Sequence, residues 1–223
     1  MELLSITQTK QDLFRVFQQL DGQSCPSFYN FHLHTLHSDG QCDPLRLYEQ
    51  AIHLGLKGLA ITDHHSVEAY LRVVEWQQAH RCLPSYPQIW SGVEITADLL
   101  AVDVHILGYA FDPAHGDLRP YLQGDAVQGA LRSAEAVIQA IHSAGGIAVL
   151  AHPARYKKSA AVLVAAAADL RIDGVETYYC YGSDHPWEPS PKQTKAVKAL
   201  GDRYSLLNTC GTDTHGLDIT RRR

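Results

Sequence analysis

No apolar stretch in this 223-residue chain comes near the ~20 residues that a helix needs to cross a bilayer; runs such as Ile147 to Ala151 and Ala160 to Ala168 stop far short. No membrane span is expected. The opening residues, MELLSITQTKQ, lack a basic segment followed by an apolar one, so no secretory leader is expected and the cytoplasm is the default compartment. Cysteine is sparse. Cys25, Cys42, Cys82, Cys180 and Cys210 form no CxxC and are odd in number, which predicts reduced thiols, mostly acting as small buried apolar residues. Aromatic residues make up 9% of the chain and charged residues 19%, and the formal net charge of −5 offers no general attraction for duplex nucleic acid or an anionic membrane. A phosphate-bearing ligand would have to be drawn by a local site. There is no GxSxG elbow, no P-loop and no dinucleotide fingerprint.

The rest of the composition, 45% apolar with 16 Gly and 10 Pro, is that of an ordinary globular protein. A single compact unit of this size should bury roughly 70% of the surface that its unfolded chain exposes, enough for one large core. The abundant residue is histidine, at 13. Placement decides what that excess means.

Seven short apolar runs are closed by polar punctuation: Tyr29 to Leu33, Lys57 to Ile61, Ile89 to Ile95, Val102 to Tyr109, Ile147 to Ala151, Gly174 to Thr177 and Leu206 to Cys210. They read as strands. Between most of them lie helical patterns over Pro44 to Leu54, Ser66 to Arg81, Gly129 to Ala144, Ala160 to Asp169 and Pro191 to Leu200. The alternation predicts an α/β fold with a mostly parallel sheet or barrel. One connection is too short for that pattern: a parallel crossover needs a dozen or more residues, and Ile95 to Val102 provides far fewer. A local antiparallel pair is predicted there. Leu13, Val16, Phe17 and Leu20 recur at helical spacing near the start and read as an amphipathic helix packed outside the main core. The Pro- and Gly-containing stretch 112 to 128 reads as the long loop.

The first strand continues as FHLHTLHSDG. Side chains at i and i+2 of a strand share a face, so His32 and His34 project together while Phe31 and Leu33 turn to the opposite layer. Other strand ends repeat the theme with Asp63, His64 and His65, with Glu94, with His152 before Pro153, and with Asp213 and His215. His105 stands near the start of its run. In an antiparallel strand that start lies at the same end of the sheet as the other groups. The C-terminal strand ends of a β/α fold form its active face, so His32, His34, Asp39, His64, Glu94, His105, His152, Asp213 and His215 are expected to converge. Buried unpaired carboxylates and crowded imidazoles are costly, and bound cations remove that cost. Nine such donors suit two or three divalent ions, of Zn, Mn or Fe, with positions left over for water and substrate.

In this order, HLHTLHSDG, AITDHHS, GVEIT, VHILGY, LAHPARY and GTDTHG resemble the successive motifs of the PHP (polymerase and histidinol phosphatase) family, particularly its small stand-alone phosphoesterases. The likeness spans residues 29 to 216. It implies a distorted seven-stranded, TIM-like β/α barrel holding a metal cluster, commonly trinuclear, with residues 1–25 as a flanking helix and lead-in and residues 26–223 as the metallohydrolase domain. It also implies one ion held by His32, His34, Glu94 and Asp213, a second shared through Glu94 with His105 and His152, and a third at Asp39, His64 and His215. Glu94, Asp213 and His215 are then expected at the reacting centre, where a metal-bridged hydroxide would attack phosphorus.

Arg155 follows the His-Pro pair and is expected to clamp a phosphate oxygen. His37 and His65 are expected near the substrate, although family members often carry Asp where His65 stands. The expected substrate is a small phosphomonoester or the end of a nucleotide or short oligonucleotide. Activity like that of a 5'-3' exoribonuclease, or of a nucleotide-bisphosphate phosphatase, is the alternative within the same chemistry. Relatives acting on such ends often insert a cap between the Glu motif and the His-Pro motif, and the residues between Glu94 and His152 leave little room for one. Two readings compete from outside that class. A metal-stabilised regulatory module would close its site with protein ligands, whereas an enzyme keeps it open. A C–N hydrolase of the amidohydrolase type would call for a bridging Lys, and no Lys ends a predicted strand.

Overall fold

The computed structural model describes residues 2–80, 86–182 and 186–222, with side chains in the first helix described from Thr9 onward. Among the described residues, eight strands form two sheets. The first holds β1 (Tyr29–Asn30), β2 (Gly58–Ala60) and β3 (Gln88–Trp90), all parallel. The second runs β4 (Gly92–Asp98), β5 (Asp103–Tyr109), β6 (Ile147–Leu150), β7 (Gly174–Tyr178) and β8 (Leu207–Cys210). Here β4–β5 and β5–β6 are antiparallel, while β6–β7 and β7–β8 are parallel. The helices are α1 (Glu2–Gln19), α2 (Pro44–His53), α3 (Glu68–Ala79), α4 (Ala134–Ser143), α5 (Ala160–Asp169) and α6 (Pro191–Tyr204).

The expected α/β fold is present, with its strands divided between sheets of three and five rather than seven in one barrel. The architecture is mixed α/β, and the two sheets do not close into one continuous barrel. The eighth strand arises because the run Ile89 to Ile95 divides at Ser91: Ile89 and Trp90 pair with β2, whereas Gly92 onward pairs with β5. At that step a Cβ on Gly92 would lie 2.4 Å from the Ile61 carbonyl oxygen, so the change of sheet uses a glycine where the backbones pass closest. Single bridges link the two sheets, Leu33 beyond β1 to Thr214 beyond β8, and His64 beyond β2 to Glu94 in β4. The antiparallel pair predicted from the short connection is present, with Thr96 opposite His105 and Asp98 opposite Asp103.

Three apolar clusters fill the interior. The largest packs β4, β5 and β6 against α4, with residues of α5 and α6 beyond. A second lies under β1 to β3 and takes in α2 and α3. In the third, α1 buries Leu13 and Phe17 against Phe31, Trp90 and Tyr109, with the Phe17 and Phe31 rings edge to face at 4.9 Å. Tyr109 ends β5 opposite the start of β6, so α1 covers the sheet end remote from the His-rich strand ends. Its covering role is the one its periodicity predicts.

Two helix starts follow local capping chemistry. Ser133 splits the pattern predicted over Gly129 to Ala144 by capping α4, its Oγ accepting the Ala136 N–H at 3.2 Å after a short 3-10 turn at Gly129–Arg132. The predicted end of α3 at Arg81, like Cys82, lies outside the described residues. Asp43 caps α2: its Oδ1 accepts the Leu45 N–H at 2.9 Å, Pro44 opens the helix, and its Oδ2 pairs with Arg72. Asp43→Ala should lower stability by about 1 kcal/mol, read as a fall in the urea midpoint, while Asp43→Asn should retain most of it.

The expectation of five reduced thiols also fails, because Cys25 and Cys210 are joined in a disulfide that ties the lead-in of β1 to the end of β8. The pair is 185 residues apart in sequence, and neither the absence of CxxC nor an odd count excludes one long-range pair. Cys42 and Cys180 are buried thiols outside it. No helix among the described residues is long and apolar enough to cross a membrane.

Candidate metal centre

β1 ends sooner than its sequence pattern predicts: past Asn30 the chain runs beside the segment after β8, while the Leu33 carbonyl still takes the Thr62 N–H beyond β2. Phe31 N–H donates to the Cys210 carbonyl, Asp213 N–H to the His32 carbonyl and His34 N–H to the Thr214 carbonyl. Alternation survives. Phe31 and Leu33 sink into separate apolar clusters, while His32 and His34 turn together toward Glu94 and Asp213. His32 Nε2 lies 3.0 Å from Glu94 Oε2 and 3.4 Å from Asp213 Oδ1; for His34 Nε2 the distances are 3.1 and 3.3 Å.

All four residues are buried, and His34 Nε2 has no hydrogen-bond partner. Donors about 2.1 Å from a tetrahedral centre stand roughly 3.4 Å apart, so these spacings and the orphaned nitrogen fit a cation. Two further groups overlap the first: His34, Asp39, His64 and His215, and then His64, Glu94 and His105. His215 Nε2 reaches Asp39 Oδ2 at 3.1 Å while its Nδ1 rests on the Asp213 carbonyl oxygen, which fixes the ring. His105 Nδ1 lies 2.7 Å from Glu94 Oε1, and His152 Nε2 lies 3.2 Å from the same oxygen. The two oxygens of Glu94 therefore face different imidazoles, as a bridging carboxylate requires.

Electrostatics carry the same signature. Burial opposes a charge on His32, yet Glu176, Glu94 and Asp213 raise it well above the ordinary imidazole range. Burial likewise opposes charging His34, but the neighbouring carboxylates of Asp213 and Glu94 bring it up to about 9. Burial should raise the carboxyl of Glu94, but the imidazoles of His32 and His105 outweigh that and hold it well below the usual carboxylate range. His64 is pushed down to about 4 by burial. The cluster demands positive charge, and divalent cations supply it without the protons. Two candidate ligands also carry backbone strain: His152 and Asp213 have φ of 29° and 54°, in the left-handed region that such residues rarely adopt.

Arg155 stands beside this cluster, its Nη1 donating to Asp213 Oδ2 at 3.0 Å. His37 is exposed. His65 departs from its expected place near a substrate: it is 3% exposed, and its Nε2 accepts the Thr96 backbone N–H at 3.2 Å. A ring so enclosed and so engaged serves the β4 backbone. The carboxylate of Asp63, adjacent to His64, takes the Thr35 N–H and the hydroxyls of Thr35 and Ser38, fixing the loop that carries Asp39. Lys158 Nζ donates to the Leu100 carbonyl, tying down the loop after β4.

Sequence reasoning missed Glu176 and the part played by Tyr179. Glu176 is fully buried in β7, with Oε1 2.8 Å from His32 Nδ1 and Oε2 accepting the His152 N–H at 2.8 Å. It therefore sets the ring of one candidate ligand and the backbone of another. The only signal was a carboxylate in the middle of an otherwise buried strand. Glu176→Gln leaves one N–H facing an amide NH₂ whichever way the side chain turns. Metal affinity should fall roughly 10- to 100-fold by titration calorimetry, with near-UV circular dichroism unchanged. Tyr179, from the aromatic stretch after β7, places its Oη 2.6 Å from Asp213 Oδ2 and donates to it.

With this geometry established, comparison with known proteins is direct. The model of the PHP domain matches residues 30–169. The chain belongs to the PHP family. Among curated relatives, the 5'-3' exoribonuclease Rnm of Salmonella typhimurium is 27% identical over 259 residues, covering 84% of this chain and 85% of that protein. Its Escherichia coli counterpart is 26% identical with the same coverage. Among solved structures, an amidohydrolase from Chromobacterium violaceum, with bound sulfate and no metal, superposes with a TM-score of 0.70 at 20% identity over 86% of this chain and 90% of that one. A protein from Bifidobacterium adolescentis classed as a metal-dependent phosphoesterase gives 0.69 at 21% identity, over 86% and 89%. The family model covers residues 30–169, and the fold shared with these two structures extends over 86% of the chain.

Proposed function

We propose that this PHP protein is a metal-dependent phosphoesterase that hydrolyses a phosphomonoester or the phosphorylated end of a nucleotide or short oligonucleotide. The observation that carries the reading is the meeting of nine His, Asp and Glu side chains around a site that is buried at its base and open at its rim. His32, His34, Glu94, His152 and Asp213 are buried, while His64, His105 and His215 have side chains 21 to 29% exposed and Asp39 reaches 55%. That open rim favours catalysis over a closed structural site.

In this reading His32, His34, Glu94 and Asp213 would hold one ion, Glu94, His105 and His152 a second, and Asp39, His64 and His215 a third. The ions, whether Zn, Mn or Fe, would supply Lewis acidity toward phosphoryl oxygens and acidify water near neutral pH. Glu94 spans two groups through its two oxygens. Arg155 orients a non-bridging phosphate oxygen, and Glu176 holds the His32 ring in the tautomer that presents Nε2. Residues 26–223 form the hydrolase unit, and 1–25 its flanking helix. The exoribonuclease relatives, alignable over most of their length, favour RNA ends among the candidate substrates.

The test is turnover of p-nitrophenyl phosphate, mononucleotides and 5'-phosphorylated short RNAs by protein loaded in turn with Mn²⁺, Zn²⁺ and Fe²⁺. Activity should vanish on chelation and return with metal. Protein that carries a full metal complement and releases neither phosphate nor nucleotide from any of these substrates would refute the reading.

A further inference from the structure

Arg222 occupies a position that the reading above does not use. Its Nε donates to Asp213 Oδ2 at 2.9 Å, and the same oxygen receives Arg155 Nη1 at 3.0 Å and the Tyr179 hydroxyl at 2.6 Å. The other oxygen of Asp213 faces His32 and His34. One carboxylate thus divides its labour: Oδ1 toward the metal-ligand cluster, Oδ2 toward two guanidinium groups.

The position is built. The Arg222 carbonyl accepts the His215 N–H at 2.7 Å, and the Arg221 carbonyl accepts the Thr214 hydroxyl. Upstream, Ile219 is fully buried and its carbonyl takes both Asn30 Nδ2 and the Thr212 hydroxyl. The segment carrying Arg222 is therefore fastened to β1 and to the residues that present Asp213 and His215. By contrast, the neighbouring Arg221 pairs its Nε with Asp218 at 3.2 Å and has a side chain 50% exposed.

Because both touch Asp213 Oδ2, Arg155 Nη1 and Arg222 Nε lie within about 6 Å of each other. Their side chains are 38% and 28% exposed, whereas that of Asp213 is 2% exposed, so the two cations stand between the buried carboxylate and solvent. Tyr179 and Arg155 already orient Oδ2. A second guanidinium sets another fixed fork of N–H donors beside the first, and an anion with several charged oxygens can lie across both.

We propose that Arg222 is a substrate-binding residue that pairs with Arg155 to grip the terminal phosphate dianion of a phosphomonoester, in preference to the singly charged phosphodiester. The ester identity rests on the phosphoesterase reading; the anion site does not. A dianion offers each guanidinium its own charged oxygen, whereas a diester has one negative charge to share.

Inorganic phosphate is the probe, with binding to Mn²⁺-loaded protein measured by titration calorimetry for wild type, Arg222→Gln, Arg222→Lys and Arg221→Gln. Metal content and the melting curve are recorded for each. Losing a charge-assisted contact should raise the phosphate Kd roughly 10- to 100-fold in Arg222→Gln, with metal content unchanged. Arg222→Lys should recover part of the affinity, and Arg221→Gln should match wild type. Where p-nitrophenyl phosphate and bis(p-nitrophenyl) phosphate are both hydrolysed, Arg222→Gln should raise KM for the monoester more than for the diester.

Unchanged phosphate affinity in Arg222→Gln overturns the proposal. So does loss of bound metal without recovery in Arg222→Lys, since that outcome assigns Arg222 to the positioning of Asp213. Should Arg222→Gln fail to fold, the Lys variant decides alone, wild-type affinity or no binding refuting the proposal and an intermediate Kd supporting it. Protein that binds phosphate through Arg222 yet hydrolyses no phosphoester refutes the functional reading and leaves the anion site standing.

Discussion

Glu94→Ala should lower kcat/KM on a phosphomonoester by roughly a thousandfold or more and should strip metal from the centre. Few other side chains stand so centrally: Oε2 lies 3.0 and 3.1 Å from the Nε2 atoms of His32 and His34, and Oε1 lies 2.7 and 3.2 Å from nitrogens of His105 and His152. Removing it leaves those four imidazoles without their shared anion and takes a common donor from two overlapping groups. Glu94→Asp is the sharper probe. It keeps the charge, but its shorter side chain cannot reach both groups of imidazoles, so metal should be lost from one group first. Metal analysis by mass spectrometry, with circular dichroism to check the fold, reads the outcome. Activity within tenfold of wild type, with a full metal complement in Glu94→Ala, would remove Glu94 from the mechanism.

The site was legible in sequence where its logic is local. The HxH spacing needs only the alternation of a strand, and the short Ile95 to Val102 connection was enough to place His105 at the same end as Glu94. Both features survive although β1 is only two residues long, because neighbouring backbone holds Phe31 to His34 extended without a ladder partner in β2. What escaped depends on contacts between distant segments. Glu176 looks like any carboxylate in a strand until His32 and His152 are placed against its two oxygens. The division at Ser91, which yields eight strands in two sheets, hides inside one unbroken apolar run. Cys25 and Cys210 meet because β1 and the end of β8 lie side by side, which no spacing rule contains. His65 misled for the opposite reason: its neighbours in sequence are site residues, yet its ring turns to the Thr96 backbone.

The same closeness between β1 and β8 sets the second large effect, at Gly211. A Cβ there would lie 2.2 Å from His32 Cβ and 2.5 Å from the His32 backbone nitrogen, distances that real Cβ atoms do not tolerate. The obstruction is steric, since Gly211 is not among the glycines with positive φ. Neither side yields easily: Asp213 N–H bonds the His32 carbonyl at 2.9 Å, and Thr212 N–H bonds Asn30 Oδ1 at 3.1 Å. Gly211→Ala must therefore force apart the two segments that carry His32 and Asp213, whose candidate ligand atoms stand 3.4 Å from each other. An overpacking cost of about 3 kcal/mol corresponds to a fall in Tm of roughly 6 to 12 °C for a chain of this size. Gly116→Ala, where an added Cβ meets nothing within 4 Å, should leave Tm within about 1 °C. Metal should separate a local from a global effect. Ions that bind the folded state raise Tm by mass action, so Mn²⁺ should stabilise wild type and Gly116→Ala more than Gly211→Ala, whose displaced donors bind it weakly. Equal metal-induced shifts in all three proteins would mean that His32 and Asp213 can move apart without loss, and that they do not share an ion.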